Sequence, residues 1–199
     1  MVVGSHLIIG SGQRPVSSIA ALRRDHSDID SMCSVLDALA VRLNQGRYVD
    51  PQMLAGVLGF FDRFFGESHQ MKEEQGLFPL LSPTSRSAAA LVSLLVVQHA
   101  AQRAMIRDLS DQLQQLSQDR PAVRESLALT ARTYIASVRE HLRIEDQWFP
   151  EVAAPLLSPQ DDECLCRQFE HIERLGIGAT GREWYNQVIA DYRDIVSTW

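Results

Sequence analysis

Cysteine is scarce in this chain: Cys33, Cys164 and Cys166 are the only three in 199 residues. An odd, sparse set does not build a disulfide framework and points to a reducing compartment. No apolar run approaches the roughly 20 residues that cross a bilayer. The opening MVVGSHLIIGSG also lacks the long apolar segment of a secretory leader. Both absences lead us to expect a soluble, cytoplasmic protein with no membrane contact. Positive charge is short as well, with 19 Lys and Arg against 25 Asp and Glu, a net charge of −6. The basic residues form no stripe, which argues against nucleic acid as a partner. Strand-type alternation is missing throughout.

What is present is helical periodicity. Hydrophobic residues make up 45% of the chain, enough for a core. From Ser17 to about Asn44 one stripe reads Leu22, His26, Ile29, Cys33, Leu36, Ala40, Leu43. Steps of four and three keep one helix face inward. Ser17 or Ser18 suits the cap, and Gly46 follows the end. A second helix opens at Pro51, carries Leu54, Leu58, Phe61, Phe65, His69 and Glu73, and is expected to stop at Gly76 and Pro79. A third, from Ser85 to Ser117, carries Ala88, Val92, Leu95, His99, Ile106, Leu109, Leu113 and Leu116. Pro121 opens a fourth, with Leu127, Ala131, Tyr134, Val138, His141, Glu145 and Trp148, ending at Pro150. Four long amphipathic helices with short connections define an all-α, up-down-up-down four-helix bundle. After a linker at Pro155–Pro159, two shorter helices (160–175 and 183–196) flank a GIGATG loop (176–181). The domain reading is a bundle over 17–150 and a C-terminal helical extension over 151–199, packed on the bundle.

One internal repeat stands out. HQMKEEQGLFP (69–79) and HLRIEDQWFP (141–150) share His-x-x-x-Glu, an acidic residue, Gln, and then Phe-Pro. An up-down bundle puts both copies at the same end, on helices two and four. Within each copy the His and Glu lie four apart, about 5–6 Å at Cβ on one face. His26 and His99 join them singly from helices one and three. At about 1.5 Å per residue, His26 lies roughly 14 Å from the start of its helix, and His69 and His141 roughly 10 and 14 Å from the ends of theirs.

A lone His on an apolar stripe is more often a packed core residue than a ligand. Four of them, one per helix, beside two inward carboxylates, fit that bland account poorly, because buried carboxylates are costly unless paired or metal-bound. Six ligands with bridging-capable carboxylates suit two metals better than one. Imidazole with carboxylate suits iron, manganese or zinc.

With these residues in place, the sequence resembles the hemerythrin-like family of HHE cation-binding proteins. The marks are DHSDID (25–30), HQMKEEQGLFP (69–79), QHAAQR (98–103) and HLRIEDQWFP (141–150). The resemblance implies two irons, bridged by the carboxylates and an oxo or hydroxo group, although other divalent metals also suit the donor set. It implies His26, His69, Glu73, His99, His141 and Glu145 as ligands. The chain departs from the family's oxygen carriers at two places, one of them Glu145, where their second carboxylate is an aspartate at a different spacing. Oxygen carriers of the family have a second histidine one turn after the first on helix three, where this chain has Arg103. This set points away from reversible oxygen carriage and toward binding or reaction with O2, peroxide or nitric oxide in a redox response. Other uses of such a centre are iron or oxygen sensing through the C-terminal helices, and iron storage or donation. A homodimer is compatible with all of them.

Other residues have plainer readings. Glu74 and Asp146 each follow a ligand glutamate and turn about 100° from it, toward solvent or a supporting role. Arg103 is read as pairing with a site carboxylate or with a surface partner. Tyr134 reads as core, Cys164 and Cys166 as separate thiols, and His171 as structural or brought to the site by a lid helix. His6 carries no signal.

Overall fold

The computed structural model describes residues 16–116, 120–178 and 181–199. No strand occurs among them. The helical runs are α1 (Ser17–Asn44), α2 (51–81), α3 (Arg86–Gln115), α4 (121–156), α5 (Pro159–Ile177) and α6 (Gly181–Ser197). His6, Ser117 and two residues of the GIGATG segment, Ala179 and Thr180, lie outside the described residues.

Local chemistry explains most boundaries. Gly46 takes φ +67° just past the end of α1. Asp50 accepts the Gln52 amide (2.9 Å) and precedes Pro51 at the start of α2. Ser85 accepts the Ala88 amide (3.0 Å) and caps α3. Ser158 and Asp161 form a reciprocal capping box ahead of α5. The start of α1 differs from expectation, since neither Ser17 nor Ser18 caps it. Their amides instead donate to the Asp162 carboxylate of α5, at 3.0 and 2.8 Å. A carboxylate from the C-terminal segment thus sits at the positive end of α1.

Three expected stops also fail, for one reason. Gly76, Pro79 and Pro150 lie within continuous helix. α2 widens to π-helical turns over Phe61–His69 and Glu73–Leu77, and α4 does so over Phe149–Ala153. Pro79, Pro150 and Pro155 each fall in the first turn of a new helical segment, where a missing N–H costs no hydrogen bond. The expected linker at Pro155–Pro159 shrinks to Leu157 and Ser158.

α1 packs on α4 and α2, and α3 packs on α4 and α2, closing a ring. His26 meets Asp146 while Asp30 meets Arg139, so α1 and α4 run antiparallel. His99 meets His141 while Gln112 meets Thr130, which sets α3 against α4 in the same sense. Gln102 meets Gln70 while His99 meets Glu74, and α2 opposes α3. α5 and α6 cover the α1–α2 side. α2 is therefore covered on two sides, which buries Phe60, Phe61, Phe64, Phe65, Ser68, His69, Gln70, Lys72 and Glu73 together. Two apolar clusters fill the interior. One includes Ile29, Leu36, Phe61, Ile106 and Tyr134, with Tyr185 and Ile189 of α6. The other includes Leu22, Leu77, Leu95 and Phe149, with Leu165 and Phe169 of α5.

α3 is, by length and composition alone, apolar enough to cross a membrane, contrary to the expectation from apolar runs. Its outer face exposes Leu94 and Val97, while Leu95, His99, Gln102 and Ile106 face the bundle.

The close approach of α5 to α2 gives a test. A Cβ at Gly176 would stand 2.8 Å from the Glu67 carbonyl oxygen, whereas one at Gly59 meets nothing within 4 Å. Gly176→Ala should therefore destabilise the protein by about 1–3 kcal/mol through overpacking. Gly59→Ala should stabilise it by up to about 1 kcal/mol through helix propensity. Urea unfolding midpoints of both variants check the pair.

Candidate metal centre

The polar layer between the two apolar clusters is made of His26 from α1, His69 and Glu73 from α2, His99 from α3, and His141 and Glu145 from α4. His26 is 4% exposed and the other five are fully buried. Their donor atoms form two groups: His26, His69, Glu73 and Glu145; and Glu73, His99, His141 and Glu145. Within each group the atoms lie within 4.8 Å of one another. The structure thus brings together all six residues singled out from the sequence.

The two carboxylates belong to both groups, and each divides its oxygens between them. Glu73 turns Oε1 to His69 Nε2 (3.4 Å) and Oε2 to His99 Nε2 (3.3 Å). Glu145 turns Oε2 to His26 Nε2 (3.4 Å) and Oε1 to His141 Nε2 (3.2 Å). None of these four contacts satisfies its oxygen: both oxygens of Glu73 and of Glu145, with Nε2 of His26 and His69, have no hydrogen-bond partner among the described residues. Six buried polar atoms facing one small volume is what a cation resolves and what neutral packing leaves costly. The donor set therefore fits a metal.

Every histidine is also held from behind, at Nδ1, by a residue of the neighbouring helix. Asp25 of α1 takes His69 of α2 (3.3 Å), and Glu74 of α2 takes His99 of α3 (2.8 Å). Gln98 of α3 takes His141 of α4 (2.9 Å), and Asp146 of α4 takes His26 of α1 (3.0 Å). The four contacts close a ring around the bundle. An acceptor on Nδ1–H fixes the tautomer and aims the Nε2 lone pair inward. Sequence reasoning missed Asp25 and Gln98 and left Glu74 and Asp146 open. The signal was adjacency, since each of the four is next in sequence to one of the six inward residues. The repeated Phe-Pro finds a role here too. Phe78 stacks on His99 and Phe149 on His26, with ring centroids 5.9 and 5.7 Å apart, and Phe65 stacks on His69 at 5.7 Å.

Charge follows this geometry in the metal-free form. Burial opposes the His26 imidazolium, but Asp146, Glu145 and Glu73 outweigh it and raise its pKa to about 10. His99 is raised to about 9 against burial by Glu73, Glu74 and Glu145. Burial also opposes the charged form of Glu145, yet His141 and His26 hold its carboxyl well below the usual range. His99 Nδ1 lies 2.8 Å from Glu74, and its Nε2 lies 3.0 Å from His141 Nε2.

Arg103 lies outside this layer. Its guanidinium donates to Glu74 and Gln70, both at 2.8 Å. Tyr134 is fully buried against Phe61, at 5.1 Å between centroids. Burial lifts the Cys33 thiol to about 12. Cys164 is exposed, Cys166 is partly buried, and both are free thiols. His171 is exposed on α5 and takes no part in the layer.

A family model, the hemerythrin HHE cation binding domain, matches residues 17–153. The chain belongs to this cation-binding family. No curated protein and no solved structure matches it significantly.

The metal-free charges predict a pH signature. His26 and His99 have folded pKa values above the ordinary 6.5, so their stabilisation is complete below about 6.5 and is lost as pH rises through 9 to 10. The contribution of Glu145 is present above its ordinary 4.5 and is lost as pH falls below that value. Chelator-treated protein should therefore lose urea stability progressively between about pH 6.5 and 10, while metal-loaded protein, whose imidazoles carry no such proton, should not.

Proposed function

We propose that the centre holds two metal ions, iron in the cell, and that the protein binds or reacts there with a small molecule such as O2, peroxide or nitric oxide. One observation carries the two-ion reading: Glu73 and Glu145 each turn one oxygen to each histidine pair. His26 and His69 would hold one ion, His99 and His141 the other, with both carboxylates shared. Two imidazoles and carboxylate oxygens per ion, with positions left over, match the donor preferences of non-haem ferrous iron. Iron bound there supplies electron exchange with the small molecule.

The chain's own residues set the conditions. Asp25, Glu74 and Asp146 are carboxylates behind three of the imidazoles, which strengthens them as donors. Phe65, Phe78 and Phe149 cover imidazole faces and limit water. A surface groove between α1 and α4, lined by Arg23, Ser27, Arg139, Leu142, Arg143 and Asp146, reaches His26. Arg103 is committed to Glu74 and acts on His99 through it, not on a bound molecule.

Anaerobic loading with ferrous iron should give about two irons per chain with magnetic coupling between them. Glu73→Ala and Glu145→Ala should abolish the coupled pair, whereas Glu74→Ala and Asp146→Ala should weaken binding about 10–100-fold. One iron at saturation, with no coupling, contradicts the two-ion reading.

The absence of a fifth histidine gives a second test. Stopped-flow mixing of the ferrous protein with O2 should show oxidation within minutes. A spectral change that reverses under vacuum would restore oxygen carriage.

A further inference from the structure

The segment after Ala153 lies beyond the family match, yet it reaches the metal centre. We propose that the C-terminal hairpin is a working part of that centre: Arg182 of α6, together with Lys72, fixes Asp25, and Asp25 fixes His69. The proposal rests on the two-ion reading above.

Asp25 is fully buried and uses its two oxygens for different jobs. Oδ2 faces His69 Nδ1 at 3.3 Å and Lys72 Nζ at 3.0 Å. Oδ1 accepts from Arg182 Nη2 in a short hydrogen bond. Arg182 is itself held on three further sides. Nη1 donates to Asp28 (3.1 Å), Nη2 donates to Glu173 of α5 (3.1 Å), and the guanidinium lies over the Phe64 ring at 5.4 Å. Glu173 also takes Lys72 Nζ at 2.6 Å. Lys72 is 1% exposed. Three carboxylates and two cations thus form one network, and a buried carboxylate in such a network is costly to leave with a missing partner. Without Arg182, Oδ1 loses its donor, and the carboxylate is free to rotate toward Lys72 and away from His69.

Among the described residues, the other half of the centre has no such link. Gln98, a neutral amide, holds His141, and Ile144 occupies the place in the second repeat that Lys72 has in the first. Glu74 is balanced by Arg103 from within the bundle. Dependence on the hairpin therefore falls on the His26–His69 position alone. A merely structural tether would not show this selectivity.

Cobaltous ion is a suitable probe, because its visible bands report occupancy without turnover. The wild type should take up two ions. Arg182→Met and Asp25→Asn should each fill one position normally and the other about 10–100-fold more weakly. Arg182→Lys should recover part of the loss by restoring the charge. In a His69→Ala background, Arg182→Met should change nothing further. Ile189→Ala, which loosens α6 packing without touching Asp25, should lower the melting temperature and keep both positions. Two full-affinity ions in Arg182→Met, or a matching loss in Ile189→Ala, would overturn the proposal while leaving the two-ion reading intact. A wild type that holds fewer than two ions would overturn both.

Discussion

The structure is organised around two buried carboxylates that find no hydrogen-bond partner among the described residues. Glu73 and Glu145 lie at the centre of the bundle, fully buried, and all four of their oxygens lack hydrogen-bond partners among the described residues. Such an arrangement is expensive for a folded protein unless a cation offsets it. The rest follows as support. Four imidazoles surround the carboxylates, and phenylalanine rings cover imidazole faces. Apolar clusters close the layer on both sides, and each imidazole is held from behind by the next helix. Because the holding contacts pass from α1 to α2 to α3 to α4 and back, no one helix can shift without disturbing the imidazole of its neighbour.

The inward stripe was legible because bundle packing imposes a period. His26, His69, His99 and His141 sit in register with leucines and phenylalanines, and the repeated His-x-x-x-Glu places each glutamate one turn further on the same face. The residues behind the imidazoles were less legible for a geometric reason. Glu74 and Asp146 turn about 100° from the inward direction, and in a bundle that direction meets a neighbouring helix rather than water. Helix ends were misjudged where π-helical turns let the chain run through Gly76, Pro79 and Pro150. The bridge from Arg182 to Asp25 spans most of the chain and leaves no periodic trace. Lys72 reads as an ordinary charged residue until α5 is laid over it.

The two halves of the centre are repeats of one design, with differences that carry consequences. His26 with His69 has carboxylates behind both rings, whereas His99 with His141 has one carboxylate and one amide. In the first pair His26 lines the groove between α1 and α4, and His69 is tied through Asp25 to Arg182 of α6. The second pair is fully buried and is supported from α2 and α3. An approximate twofold in sequence thus becomes two unequally supported histidine pairs in space, with His26 alone slightly exposed.

The central claim is that Glu73 and Glu145 exist to be shared by two cations. Diffraction from crystals of the iron-loaded protein, collected at the iron absorption edge, tests it most directly. The account predicts two anomalous peaks in the polar layer, one beside His26 and His69 and one beside His99 and His141, each in contact with both glutamates. A single peak, or peaks from which Glu73 and Glu145 turn away, would contradict it.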